Sequence, residues 1–288
     1  MKGRKIKMGI FRSYDKPGPG IDKDAPKKKG LFLYLELLKR KFGRLMQASM
    51  LLFLCSIPML LILSFIVFGF TTGAVESVTA GLETEQAAEI QRIALTFFTT
   101  LICVLWGSGP ASAGFAYITR CFTREEHSWI LSDFFQRMKE NFKQGMVVSV
   151  VDILLLIFGG NAVYFYFSKA QHSGAVIWMI LCYLSCMMLI IYTFMHMYIY
   201  QIMVTYECKI KELYKNSLIL ALGKAPMNLI LVIISSAIVF FLFNFLNPLF
   251  ALVVSFLLFM GFARFPLEFY AARTISRVVV SQQSGEEQ

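Results

Sequence analysis

Six long apolar segments determine what this chain can fold into. Each covers 20 residues or more: 45–70, 93–118, 146–167, 175–205, 227–246 and 248–267. A helix of about 20 apolar residues crosses the hydrocarbon core of a bilayer, which is roughly 30 Å thick. Because the segments are too long and too continuously apolar for buried strands or globular core helices, the sequence predicts an all-α, polytopic membrane protein with six transmembrane helices.

The composition excludes most soluble classes. Hydrophobic residues make up 57% of the chain and charged residues only 16%, whereas about 25% of a typical soluble domain is charged. A soluble enzyme, a disordered protein and a disulfide scaffold are therefore excluded. The sequence contains no HExxH, GxSxG or Walker A motif, and its six cysteines have neither CxxC nor zinc-type Cys–His spacing. We therefore expect no enzymatic activity, no cofactor and no metal.

The Lys and Arg residues predict the orientation. All but two of the 28 cations lie in alternate connecting segments, and the opposite side carries only Arg92 and Lys169 together with four glutamates in a loop at 71–92. Cytoplasmic loops carry the excess of Lys and Arg, so both termini are expected in the cytoplasm. The basic segments are residues 1–44, 120–144, 206–226 and the chain from Arg264 onward.

Three parts of the chain are predicted. Residues 1–30 form a flexible basic cytoplasmic tail, residues 31–280 a single six-span membrane domain, and residues 281–288 a flexible C-terminal tail. The net charge of +10 lies next to the ends of apolar helices, where anionic headgroups attract basic side chains. The predicted partner of this charge is therefore the anionic bilayer surface and not nucleic acid.

Amphipathic patterns at 30–44, 128–144 and 209–224 predict three cytoplasmic interfacial helices. Each leads into a membrane hairpin, which suggests a three-fold pseudo-repeat. Phe42, Phe142 and Leu222 are expected at matching places before their spans.

A segment rich in small residues interrupts the second span. Small side chains let helices approach closely, and proline removes a backbone donor. One interpretation is a kinked, closely packed helix; the other is an unwound segment that exposes carbonyls to a ligand or partner. The candidate residues are Gly107, Gly109, Pro110, Ala111, Ala113 and Gly114.

Ionisable residues inside spans are costly and are therefore candidates for a functional site. Asp152 in the third span and Arg264 in the sixth fall at similar depths, so an ion pair is expected, with Glu268 and Arg120 as competing partners. A proton or cation site at Asp152 is the alternative. His196, in the fourth span, is expected to be a packed, hydrogen-bonded residue.

Six short motifs occur in order along the chain: GPASAG at 109–114, YITR at 117–120, REE at 124–126, SDFF at 132–135, KENFK at 139–143 and ELYKN at 212–216. Together they resemble the YesL-type bacterial membrane proteins, a family of unknown function associated with carbohydrate utilisation. The similarity extends over about residues 30–280, and members of that family are typically found beside carbohydrate ABC transporter subunits. The resemblance implies a bacterial cell-membrane protein with a role in carbohydrate uptake, and it supplies no catalytic residues.

The leading expectation is an accessory or regulatory protein that binds the permease subunits of a carbohydrate ABC transporter within the bilayer. The small-residue face would pack against the permease, and the helix at 128–144 would contact its coupling region or ATPase. The alternative is an independent transporter or channel with a site near Asp152, His196 and Arg264. The candidate cytoplasmic contact residues are Arg120, Asp133, Phe134, Lys139 and Phe142.

Overall fold

The structure is a computed structural model that describes residues 30–79, 84–254 and 260–286. Within these ranges the chain forms helices and no strand. The helices are α1 (Leu31–Arg40), α2 (Phe42–Thr79), α3 (Thr84–Trp106), α4 (Pro110–Thr123), α5 (Ile130–Glu140), α6 (Phe142–Ser173), α7 (Val176–Met203), α8 (Ile210–Gly223), α9 (Ala225–Phe245), α10 (Pro248–Val254) and α11 (Met260–Glu286).

Five of these helices, α2, α3, α6, α7 and α9, are long and apolar enough to cross a membrane. The chain is thus an all-helical protein with the features of a multi-pass membrane protein. The sixth predicted span, 248–267, contains residues 255–259, which lie outside the described residues. Helices α10 and α11 flank that gap.

The second predicted span is two helices and not one. Helix α3 ends at Trp106 and α4 begins at Pro110. Between them, Gly107 and Gly109 have φ angles of +82° and +64°, a left-handed conformation that glycine adopts without the usual steric cost. Proline suits the first helical position because the N–H that it lacks has no partner there.

Helices form at the three amphipathic patterns, as α1, α5 and α8. Each is separated from the following long helix by one residue with similar backbone angles: Lys41 (φ −108°, ψ 18°), Asn141 (φ −98°, ψ 12°) and Lys224 (φ −125°, ψ 22°). Phe42 and Phe142 begin their long helices as expected. Leu222 does not match them, because α8 continues to Gly223 and Pro226 favours a helix start at Ala225.

The basic segments meet at one end of the helix bundle, which we call the basic end. Arg40, at the end of α1, forms an ion pair with Glu125, which follows α4. Arg120 donates to the carbonyl oxygen of Val204 at 2.8 Å, just after α7. Gln144, near the start of α6, donates to the carbonyl of Cys208 at 2.9 Å. These contacts join segments that lie far apart in the sequence.

The connecting segments contain more helix than expected. Helix α2 continues to Thr79 and α3 starts at Thr84, so most of the predicted loop at 71–92 is helical. Residues 281–286, assigned above to a flexible tail, continue α11. Residues 1–29, predicted as the basic tail, lie outside the described residues, as do 287–288.

Helix α4 lies at the centre of the fold. Ten of its 14 residues are buried, and it contacts α2, α5, α6, α7 and α11. A Cβ at Gly114 would lie 2.7 Å from the Phe134 carbonyl oxygen, and one at Gly145 would lie 2.9 Å from the Pro110 backbone. The small side chains therefore allow α5 and α6 to pack directly on the α4 backbone.

This packing predicts that Gly114→Ala destabilises the protein. The new methyl group would force α4 and α5 apart, and overpacking of this kind costs about 1–3 kcal/mol. Thermal unfolding of the purified chain in mild detergent measures the effect. Gly43→Ala in α2 is the control, because a Cβ there meets nothing within 4 Å. Equal stability of the two variants would contradict the close α4–α5 contact.

Candidate functional site

The small-residue segment is an internal packing surface. Ala111 and Ala113 are fully buried, and a Cβ at Gly109 would collide with the Ser149 hydroxyl oxygen on α6 at 2.2 Å. The segment is therefore closely packed, as the first interpretation predicted, and it also contains a break in the helix at residues 107–109. The chain's own helices cover this face, so we do not assign it as the surface that meets a partner in the bilayer.

Arg264 occupies the break between α3 and α4. Its Nη1 donates to the Ser112 hydroxyl at 2.7 Å, and its Nε donates to Glu268 Oε1 at 2.9 Å. A Cβ at Gly107 would lie 2.8 Å from the same Nη1, so glycine is required for this approach. Arg264 and Glu268 are each 3% exposed. Pairing avoids the large cost of an isolated buried charge.

Gln201 of α7 connects this ion pair to α4. Its Nε2 lies 2.7 Å from Glu268 Oε2, 3.0 Å from the Ala116 carbonyl oxygen and 3.1 Å from Thr119 Oγ1. The amide therefore links α7, α11 and α4 at a fully buried position.

Asp152 of α6 is bound by two residues of α7. The Tyr192 hydroxyl donates to Asp152 Oδ1 at 2.6 Å, and His196 Nε2 lies 2.6 Å from the same oxygen. Tyr192 also approaches the Tyr214 hydroxyl of α8 at 3.5 Å. The His196 ring stacks on Trp106, the last residue of α3, with 6.1 Å between ring centroids. His196 is packed and hydrogen-bonded, as the sequence predicted.

The expected ion pair between Asp152 and Arg264 is not formed, because each residue has another partner. Tyr200 stands between the two groups: its ring centroid is 5.8 Å from that of His196 and 5.4 Å from the guanidinium carbon of Arg264. The three candidate residues thus belong to one continuous buried network that surrounds the break. We call it the central polar network, formed by Ser112, Asp152, Tyr192, His196, Tyr200, Gln201, Arg264 and Glu268.

Four atoms of the central polar network have no hydrogen-bond partner among the described residues: Asp152 Oδ2, His196 Nδ1, the Tyr200 hydroxyl oxygen and Gln201 Oε1. Buried polar groups in proteins are nearly always paired. These atoms are therefore the places where the network can accept another hydrogen bond or a proton. A carboxylate and an imidazole at hydrogen-bond distance can share or hold a proton.

The arrangement differs from a metal centre. No group of three or more His, Cys, Asp or Glu side chains suited to a metal ion occurs in the described part of the chain. The six cysteines are free thiols. The chemistry that the central polar network supports is hydrogen bonding, ion pairing and proton exchange.

The five candidate contact residues at the basic end fall into two groups. Phe134 is fully buried, Asp133 accepts the Trp129 N–H at the start of α5 at 2.8 Å, and Arg120 is half-buried. These three side chains make contacts inside the chain. Lys139 and Phe142 are exposed.

Sequence reasoning missed four members of the central polar network: Ser112, Tyr192, Tyr200 and Gln201. Helical spacing was a signal for the two tyrosines. Tyr200 is four residues from His196 and eight from Tyr192, so all three share one face of α7. Ser112 is the polar side chain nearest the break in α4.

Comparison with known families finds one match in the centre of the chain. A family model described as a protein of unknown function, DUF624, matches residues 90–161. This range contains the break, α4, α5 and Asp152, whereas His196 and Arg264 lie beyond it. No curated protein and no solved structure matches the chain.

The first prediction for the central polar network concerns the partner of Asp152. Asp152→Asn and His196→Gln remove two ends of one hydrogen bond, so their effects on stability should be non-additive by about 0.5–3 kcal/mol. Thermal unfolding of the single and double variants in detergent measures this coupling. Asp152→Asn combined with Arg264→Gln serves as the comparison, and a stronger coupling in that pair would contradict the assignment.

The second prediction concerns the glycine beside Arg264. Gly107→Ala should destabilise the protein more than Gly174→Ala does. Both positions have a positive φ, but a Cβ at Gly174 meets nothing within 4 Å, whereas one at Gly107 meets Ser112 Oγ and the Arg264 guanidinium between 2.6 and 2.9 Å. The melting temperatures of the two variants separate backbone strain from the lost Arg264 contacts. Equal decreases in melting temperature would show that backbone strain alone accounts for the effect of Gly107→Ala.

Proposed function

We propose that this chain is an integral membrane accessory or regulatory protein of a bacterial carbohydrate ABC uptake system, which it joins by binding the permease subunits. The observation that carries the proposal is the filled centre of the bundle. At its middle, where a substrate path would run, the side chains of Asp152, His196, Gln201 and Arg264 are at most 3% exposed and contact one another or their neighbours.

The surface at the basic end supports binding of a partner. On α5 and the start of α6, Leu131 is 65% exposed and Phe142 is 50% exposed, with the exposed cation Lys139 between them. Exposed apolar side chains rimmed by polar residues are typical of interaction surfaces. We propose this face, and not the buried small-residue face, as the contact with the coupling region or ATPase.

The carbohydrate ABC part of the proposal comes from the resemblance to YesL-type proteins. The match to DUF624 over residues 90–161 falls on most of the motifs that carry the resemblance. The family description itself gives no function.

We further propose the finer topology: six spans, both termini in the cytoplasm of a bacterial cell, and three repeated units. The similar one-residue breaks at Lys41, Asn141 and Lys224 support the repeat, because each joins an interfacial helix to a long apolar one. The basic end supports the orientation.

A pull-down of the tagged chain from its native membrane in mild detergent tests the proposed function. Mass spectrometry should find stoichiometric permease subunits of a carbohydrate ABC transporter. The double variant Lys139→Glu/Phe142→Ser should lose them, because it reverses a charge and removes an exposed ring in the proposed contact.

The control is Lys215→Glu, an equal change of charge on the exposed face of α8. It should retain the permease. A chain that purifies without ABC subunits, alone or as a homo-oligomer, would overturn the proposal.

A second candidate function is an independent transporter with its site in the central polar network. The observation that favours it is a groove of about 570 Å³ that reaches Tyr192 and is lined by apolar residues including Leu155, Leu189 and Leu218. Through Tyr192 it approaches the Asp152–His196 pair. Uptake of radiolabelled sugar into liposomes that contain the purified chain alone, abolished by Asp152→Asn, would favour this function.

A further inference from the structure

A second groove, of about 820 Å³, lies at the basic end between α2 and the start of α5. Its volume is in the range of small-molecule sites, which is about 300–1,000 Å³. One wall is a stripe of α2 formed by Arg44, Gln47, Leu51 and Leu54. These positions share one face of the helix because they are spaced by three and four residues.

The stripe changes from polar to apolar with depth. Arg44 lies near the start of the candidate span Phe42–Thr72, and Leu54 lies ten residues further on, which is about 15 Å along the helix. A groove that begins with a cation and continues with leucines into the bilayer matches a molecule with an anionic head and an apolar tail.

The opposite wall is the segment that leads into α5. Trp129 is 71% exposed and Leu131 is 65% exposed. The Trp129 ring contacts the His127 ring with 5.1 Å between centroids, at the level where tryptophan is enriched in membrane proteins. Ser128 also lines the groove, and its hydroxyl has no hydrogen-bond partner among the described residues.

The positive charge of Arg44 is available to a ligand. Among the described residues Arg44 is exposed and has no carboxylate partner, whereas the nearby Glu125 is bound to Arg40. One oxygen of the Asp133 carboxylate accepts the Trp129 N–H at 2.8 Å. Burial of Lys41, and after it the positive charges of Arg40 and Arg44, lower the pKa of Lys41. Beside the Arg40–Glu125 pair, Lys41 and Arg44 contribute two positive charges to this corner and Asp133 one negative charge, so positive charge is in excess.

We propose that this groove is a binding site for one anionic glycerophospholipid. The phosphate lies against the Arg44 guanidinium and the Gln47 amide, with His127 and Ser128 on the facing wall. One acyl chain follows Leu51 and Leu54 into the bilayer, and Trp129 covers the glycerol region. Arginine suits this role because its planar fork matches the oxygens of a phosphate.

Native mass spectrometry of the full-length, delipidated chain in detergent tests the site. Phosphatidylglycerol and phosphatidylcholine with identical acyl chains are titrated separately, with glycerol phosphate as a soluble competitor. We expect the first phosphatidylglycerol molecule to bind more tightly than the phosphatidylglycerol molecules that follow it. It should also bind more tightly than phosphatidylcholine. Arg44→Gln should weaken this first event about tenfold, as the loss of a charge-assisted contact predicts.

The matched control is Lys143→Gln, which removes an exposed cation at the same end but outside the groove. It should leave the first binding event unchanged. Equal losses of affinity in the Arg44→Gln and Lys143→Gln variants would show that the lipid is attracted to the basic surface in general. That result would overturn the proposed site. Equal affinities for phosphatidylglycerol and phosphatidylcholine would overturn the proposed preference for an anionic headgroup. Full displacement by glycerol phosphate at the lipid's own concentration would show a site for soluble phosphates instead.

Leu54→Arg examines the apolar half of the groove. Leu54 is 49% exposed, so the longer side chain can be accommodated without disturbing the core. This substitution should weaken the binding of phosphatidylglycerol and leave the binding of glycerol phosphate unaffected. An unchanged lipid affinity would overturn the proposed path of the acyl chain.

Discussion

The contact of Arg264 with the break between α3 and α4 is the interaction on which the rest of the structure depends. A guanidinium buried among transmembrane helices must be paired, and here Glu268 and Ser112 supply the partners. This contact requires glycine at position 107, a break in the helix and a serine in the first turn of α4. It therefore explains why an otherwise apolar span contains the sequence Gly-Ser-Gly-Pro.

The elements most strongly determined by local sequence were the most predictable. The apolar runs predicted the five helices that can cross a membrane, and the amphipathic runs predicted α1, α5 and α8, because both patterns depend only on residue spacing. Helix ends were less predictable. The C-terminal end of α3 and the start at Ala225 depend on positive φ angles and proline positions, which hydrophobicity alone does not reveal.

The partners of buried charges were not predictable from depth. The sequence predicts similar depths for Asp152 and Arg264, but Asp152 on α6 faces Tyr192 and His196 on α7. Successive side chains of a helix point about 100° apart. Two residues at the same depth can therefore face different neighbours, and the rotation of the helix about its axis decides which partner a side chain meets. The spacing of Tyr192, His196 and Tyr200 places all three on one face of α7, and that face is the one that Asp152 meets.

The central polar network and the small-residue contacts together account for how α4 is held. Lipid tails are as apolar as leucine, so the hydrophobic effect does not drive helices together inside a bilayer. Close backbone contact at Gly114 and Gly145 and hydrogen bonds from Gln201 and Arg264 supply the attraction instead. Because these bonds are directional, they specify one arrangement of α4 among its neighbours. A centre fixed in this way leaves the exposed basic end as the part of the molecule best suited to meet lipids and other proteins.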